Sequence, residues 1–329
     1  MHLVLTLPGL LAPGTGSAPG LARLVAAAGP PAREPDGIDA VLAARFGIAR
    51  QSDWPLASIR AAALGVDPGS AYWLAADPVT LVAGRDDVRL TGAVADLTAD
   101  DADALVAMLN AHFSADGVAF VAPRPDAWFV RAPAPQRLAT RPIAAAIGRS
   151  LRALMPAGDD ARTWRRWQQE IQMLFHEHPV NAQRERAGAA SVSGVWFSQG
   201  GTLAPPTATT KIDTFADDGF AAALARHVGN PAQPLPESLD PVLAAACDAE
   251  LLVVATGPAH DLAALDAAWM APAWAALGRR TLESVTLVAD GAGDAAVWTA
   301  RPRRGWQRIA DRFSSPDLDA LLAAARSDD

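Results

Sequence analysis

Side chains able to do chemistry concentrate in one stretch, residues 164–201, WRRWQQEIQMLFHEHPVNAQRERAGAASVSGVWFSQGG. Pro179 removes an amide donor and pushes His178 towards extended geometry, so His176, Glu177, His178 and Asn181 gather where one helix must stop. Arg184 lies three residues beyond Asn181, on the same face of the next helix, and Arg186 follows. Imidazole, carboxamide and guanidinium groups in that order suit the binding of a small acidic metabolite through charge-assisted hydrogen bonds. The candidate ligand-binding set is therefore His178, Asn181, Arg184, Arg186 and Gln199. The competing reading is a buried His-Asn-Arg network that only ties helix to strand.

The elements that must position this set are legible from periodicity. Trp164, Trp167, Ile171 and Leu174 recur at helical spacing and make a buried stripe, while Arg162, Arg165, Arg166 and Gln169 fall largely on the opposite face. Asp159 or Asp160 is placed to cap that helix, and Gly188 suits the stop of the second one. Residues 191–198 alternate as a strand. Gln199, Gly200 and Gly201 leave its carboxyl end, where open α/β sheets place ligands.

Other chemistry is weakly supported. Six histidines with no HxxxH or HExxH pair do not preassemble a metal site, and His176 and His178, two apart, point to different sides of a helix. His260, Asp261, Asp290 and Asp294 are the remaining candidates for coordination, and no metal or other cofactor is expected. Ser198, His178 and an aspartate can be drawn as a triad, but no GxSxG elbow supports one. GTGSAPG at 14–20 matches neither GxGxxG nor a phosphate-binding loop and reads as a structural turn. The basic-aromatic run 301–313, with Arg303, Arg304, Trp306 and Arg308, reads as a solvated face covering a core tryptophan.

Composition bounds the rest. A chain of 329 residues, half of them hydrophobic, can bury a full core. A net charge of −8 argues against a general nucleic-acid binder. Lys211 is the only lysine among 28 basic residues, a bias that with the abundant alanine reflects genome composition rather than arginine-phosphate contacts. The single cysteine, Cys247, cannot form an internal disulfide and reads as a small core residue, which suits a cytoplasmic protein. No stretch approaches a membrane span. Ten tryptophans leave open a third role, protein association, if some of them are exposed.

Along the chain, 2–7 reads as an entering strand followed by helices to about 63. From Tyr72 the texture changes: a strand, an Asp77-Pro78 turn, strands near 88–91, 118–122 and 128–131, and a helix over 98–113 with Thr98 as its cap and His112 packed in its apolar stripe. Long helices resume at 143–155. Strands at 209–214, 251–256, 285–289 and 295–300, with helices at 220–228 and 262–277, predict an α/β fold with a doubly wound, mostly parallel sheet.

The segments HEHPVNAQRERAG and VWFSQGG resemble archaeal-type, cofactor-independent phosphoglycerate mutases, of the alkaline phosphatase superfamily. More closely, the chain, including YWLAADPVTL, resembles a bacterial group of RpfE-type regulatory proteins. The mutase resemblance implies an α+β module, residues 67–138, inserted into an α/β core of 1–66 plus 139–329. It also implies two metals held by Asp and His and a serine or threonine nucleophile. This chain departs from that pattern. Its first strand, HLVLTLPGLL, has no carboxylate where the family carries Asp-Gly, and DGIDAVLAARFG has no matching serine before it. The expectation is a non-catalytic regulatory or ligand-binding protein on a degenerate mutase-like scaffold, with a small anionic metabolite or a protein as partner. A divergent metal-dependent phosphomutase or phosphatase is the alternative, and an association scaffold the second.

Overall fold

A computed structural model describes residues 1–11, 17–84, 87–203, 205, 211–245, 250–254, 261–290, 293–303 and 316–326. In chain order its elements are β1 (His2–Leu7), α1 (Pro19–Ala28), β2 (Ala32–Glu34), α2 (Gly37–Arg45), α3 (Leu56–Ala63), β3 (Tyr72–Ala83), β4 (Val88–Ala93), α4 (Ala99–His112), β5 (Ala119–Arg124), β6 (Ala127–Ala132) and α5 (Ile143–Ala146). There follow α6 (Ala161–His176), α7 (Pro179–Arg186), β7 (Gly194–Thr202), β8 (Ile212–Ala216), α8 (Gly219–His227), α9 (Leu239–Ala245), β9 (Glu250–Val254), α10 (Leu262–Leu265), α11 (Ala271–Arg279), β10 (Ser284–Asp290), β11 (Ala295–Ala300) and α12 (Leu318–Arg326). The chain is a mixed α/β protein that divides into two compact units, one of Met1–Gly47 with Ala208–Asp329 and one of Ile48–Thr207.

The first unit is built on a six-stranded sheet in the order β2-β11-β10-β1-β9-β8. The pairings β10-β1, β1-β9 and β9-β8 are parallel, and β11 and β2 add antiparallel at one edge. The unbroken apolar run of β1, buried from Leu3 to Leu7, is what a parallel strand covered on both faces requires. α1 packs Leu21, Leu24 and Val25 into the same core as Ala273, Ala276 and Leu277 of α11. The helix expected over 262–277 is present, with a π-helical turn at Asp266–Met270 joining α10 to α11.

The second unit carries an antiparallel sheet organised on β3, which pairs with β6, β4 and β7. The predicted elements between 72 and 132 are all found, with one correction. Asp77-Pro78 is not a turn but lies inside β3. On one side of β3, β6 reaches only to Ala75 and β4 begins at Val79, while the Pro78 carbonyl accepts from Val94 N at 2.9 Å. Proline sits where no ladder donor is needed.

A second correction concerns β7. Gln199, Gly200 and Gly201 are expected to leave the carboxyl end of a strand of an open α/β sheet, but β7 runs antiparallel to β3 in the second unit and continues to Thr202. This unit is therefore wider at both ends than the 67–138 module. α3 and β7 enclose one end of it, and Trp164, Ile171 and Phe175 of α6 share a core with Leu74, Leu105, Trp128 and Phe197. An edge-to-face contact of Trp164 with Phe197 of β7 at 5.0 Å holds α6 to the sheet, and Trp164 meets Trp167 of the same helix edge-to-face at 4.9 Å. Phe175 takes the buried place expected of Leu174, which is half-buried. His112 is likewise exposed, 3.4 Å from Glu170, and Phe113 fills the core instead. The long helix expected over 143–155 is reduced to one turn, α5, and a 3-10 turn at Leu151–Ala153.

Candidate functional site

Three groups of polar residues in these units bear on function, and the sequence-derived set is the first. His178 is the N-cap of α7, its Nδ1 accepting from Val180 N at 3.3 Å, and burial pulls its imidazole below the ordinary value. Asn181 is buried; its amide donates to the carbonyls of Phe175 at 2.7 Å and Val192 at 2.8 Å, and its Oδ1 accepts from Val192 N at 2.8 Å. One side chain thus joins the end of α6, the start of α7 and the entry to β7. Arg184 is also buried, its Nε donating to Ala190 O at 2.8 Å and its Nη2 to Asp96 Oδ1 at 2.5 Å. Arg186 is exposed. Gln199 is not brought to the others, because it lies seven residues beyond Val192, about 23 Å at strand rise.

The second group, at the far end of β7, escaped sequence reading. Asp53 is buried, its Oδ1 accepting from Trp54 N at 2.8 Å. Its Oδ2 accepts from Thr140 N at 3.1 Å, from the Thr140 hydroxyl and from Gly200 N at 3.4 Å. Burial pushes its carboxyl up from the ordinary value, and these donors oppose the shift. Thr140 Oγ1 in turn accepts from Gln199 N at 3.0 Å, holding Gln199 at φ 59°, a left-handed conformation costly for a residue with a Cβ. Gln51 closes the same edge, donating to Thr202 O at 2.7 Å and accepting from Thr202 N at 3.0 Å, and Gln168 donates to Val195 O at 3.2 Å. These side chains satisfy main-chain groups of β7 that no further strand pairs. Gly200 leaves room for the Tyr72 hydroxyl, which is buried with no hydrogen-bond partner. Thr140 and Gly200 lie 87 and 147 positions from Asp53, so no spacing motif could have flagged them.

The third group is the exposed face of α6. An open groove of about 530 Å³ is lined by Arg162, Thr163, Arg165, Arg166 and Gln169. At 100° per residue Arg162, Arg165, Arg166 and Gln169 form one stripe, as their sequence spacing requires. The first turn of α6 contains no acidic residue, and Asp160, at the N-cap position, makes no capping bond. Its Oδ2 instead accepts from Arg137 N at 2.7 Å, and Asp159 pairs with Arg137 at 3.0 Å. Arg162 lies in the first turn of α6 and Arg165 and Arg166 in the second, so three guanidinium groups share one face, an arrangement that like-charge repulsion disfavours and that an anion relieves. Nε of Arg165 donates to Pro156 O at 2.7 Å, and Nε of Arg166 lies 3.3 Å from Glu170. These contacts orient both side chains.

At the carboxyl edge of the parallel sheet the acids are already engaged. Asp266 accepts from Gly20 N at 3.0 Å and Leu21 N at 2.7 Å, so the α1 N-terminus is neutralised from within the chain. Asp290 accepts from Gly9 N, Asp294 pairs with Arg33 at 2.7 Å, and Asp261 caps α10. Among the described residues no three His, Cys, Asp or Glu side chains are placed to hold a metal ion. His260, Cys247, Arg304, Trp306 and Arg308 lie outside the described residues.

No family model and no curated protein matches the chain. Among solved structures it is similar to a cofactor-independent phosphoglycerate mutase from Thermoplasma acidophilum DSM 1728, at 14% identity and a TM-score of 0.44, covering 100% of this chain and 95% of that one. It is also similar to the PH0037 protein from Pyrococcus horikoshii, at 14% identity and a TM-score of 0.45, covering 100% and 98%.

Proposed function

We propose that the protein is a non-catalytic regulatory or ligand-binding protein that takes up a small anionic metabolite on the arginine stripe of α6. The observation that carries this reading is the groove lined by Arg162, Arg165 and Arg166 at a helix end with no acidic residue in its first turn. Charge-assisted bonds from two oriented guanidinium groups supply the affinity, and Thr163 and Gln169 supply neutral hydrogen bonds. The absence of catalysis is argued from sequence: the first strand runs into Leu7, Pro8 and Gly9 where the resembled mutases carry Asp-Gly. The regulatory part of the proposal rests on the RpfE-type resemblance. A ligand contact at His178, Asn181, Arg184, Arg186 or Gln199 would constitute a second site. The association reading has less support: of the four tryptophans on which it turns, Trp269 and Trp298 are buried and Trp54 and Trp274 half-buried.

Calorimetric titration with inorganic pyrophosphate tests the anion site. The expected result is saturable 1:1 binding that Arg166→Ala weakens by about tenfold, the worth of one charge-assisted bond, with little change in melting temperature. Absence of binding, or equal affinity in the variant, would overturn it. Hydrolysis or isomerisation of phosphomonoesters by the purified protein with added manganese or zinc would replace the non-catalytic reading with the phosphomutase or phosphatase alternative.

A further inference from the structure

α4 and α6 each bury one stripe in the same core, Leu105 and Leu109 of the first with Trp164, Ile171 and Phe175 of the second. Their opposite stripes therefore face away from the sheet together. Two sets of contacts orient the pair. α4 ends beside the middle of α6, where Phe113 meets the Trp167 ring at 5.8 Å and His112 lies 3.4 Å from Glu170. It begins beside α7, the helix that follows the end of α6, where Arg184 pairs with Asp96 and lies 3.9 Å from Asp101. The start of α4 thus lies towards the carboxyl end of α6 and away from Arg162.

Charge is divided along this outer surface. At one end Asp100 and Asp103 of α4 and Glu177, which closes α6, are exposed, and none of the three has an ion pair among the described residues. His176 stands beside them. At the other end are Arg162, Arg165 and Arg166, with one acid, Glu170, which Arg166 shares with His112. Between the ends the exposed side chains of α4 are Ala104, Ala107 and Ala111, which leave no bulk to hold a second surface away. Met173 of α6, 65% exposed, is one of four exposed large hydrophobic residues among the described residues.

We propose that this surface is a self-association face whose partner is a second copy of the chain. A twofold axis crossing the two helices at right angles lays the acidic end of each copy on the arginines of the other. The charge pattern selects that partner, because such an axis reverses the surface end for end and one sequence supplies both halves of the match. The sixteen residues of α6 make the face about 24 Å long, and two helices make it about 20 Å wide. That is at the low end of specific contacts, so the dimer is reversible. The inference goes beyond the anion site but uses the same arginines, so a bound anion and the partner's carboxylates exclude each other.

Sedimentation velocity of the full chain over a range of concentrations tests it. The expected result is a monomer-dimer equilibrium that about 0.5 M salt weakens, because the matched charges are exposed, and that pyrophosphate shifts towards monomer. Asp103→Lys with Glu177→Lys makes one variant basic at both ends, and Arg162→Glu with Arg166→Glu makes another acidic at both ends. All four positions are exposed, and circular dichroism checks that each variant folds. Each variant alone is expected to dimerise at least about tenfold more weakly than the parent, and their equimolar mixture to form a heterodimer, since opposite charges then meet at both ends. A parent chain that stays monomeric at every concentration, dimers indifferent to both reversals, or a mixture that does not associate overturns the inference. If the parent is monomeric and still binds pyrophosphate, this face fails and the anion site stands. If dimers obey the reversals in a protein that binds no pyrophosphate, the face stands and the anion site fails.

Discussion

Asp77 shows how far a single residue can depart from what its type suggests. A carboxylate in the middle of β3 is partly enclosed by sheet and helix, and burial pushes its pKa up to about 6, with Asp126 adding to the shift and Arg60 of α3 opposing it. The native state therefore prefers the neutral form more than the unfolded chain does. The stability contributed by this group is fully present below about pH 4, its unfolded range, and is lost as pH rises through about 6. Asp77→Asn should remove that slope and leave the variant more stable by about 1 to 3 kcal/mol at pH 7.5. Urea unfolding of both proteins between pH 4.5 and 7.5 measures it, and parallel profiles would show that Asp77 titrates alike in both states. Nothing in the run YWLAADPVTL separates this aspartate from a turn residue. Asp-Pro is a turn signal, and only the gap between β6 and β4 along one side of β3 makes it a strand position.

At the scale of elements, α6, α7 and β7 are joined by side chains that resemble a binding site in sequence. Asn181 reaches carbonyls on both sides of α7, and Arg184 spans from the Ala190 carbonyl to Asp96 ahead of α4. Truncating Asn181 leaves buried main-chain groups of Phe175 and Val192 unpaired, and truncating Arg184 removes a buried guanidinium whose charge-assisted bonds run to the exposed Ala190 and Asp96. Arg184→Ala and Asn181→Ala are accordingly expected to destabilise the fold by about 1 to 3 kcal/mol each while leaving pyrophosphate affinity unchanged. Lost affinity at an unaltered melting temperature would instead make these residues ligand contacts. The helices, the Pro179 break and the residue types of this region were legible, because capping and periodicity are local. Whether Asn181 and Arg184 face a ligand or the chain's own carbonyls was not, since Val192 reaches Asn181 and Ala190 reaches Arg184 only when the chain turns back from α7 into β7. The α6 stripe was legible as a face, and the groove along it was not.

For the whole molecule, the division at 47/48 and 207/208 decides which core each element serves. Residues 48–207 contain a complete set of partners, with α4 and α6 packed on β3, β6 and β7 around Leu74, Leu105, Trp128, Trp164 and Phe197. A fragment spanning 48–207 should unfold in one cooperative transition by circular dichroism. One spanning 67–138 should not, because it lacks Trp164, Ile171, Phe175, Val195 and Phe197, each worth about 1.5 to 3 kcal/mol of burial. A cooperative 67–138 fragment would restore the narrower module. The sequence by itself determined the alternation of strands and helices, the buried stripe of α6 and the Thr98 cap of α4, since these follow from side-chain periods of two and 3.6 and from bonds spanning three residues. Only the tertiary structure decided that β7 runs beside β3, that Asp53 and Thr140 hold its far end, and that Asp266 occupies the N-terminus of α1. Those choices depend on contacts between residues far apart in the chain, and a periodic pattern records which face is apolar without recording what will cover it.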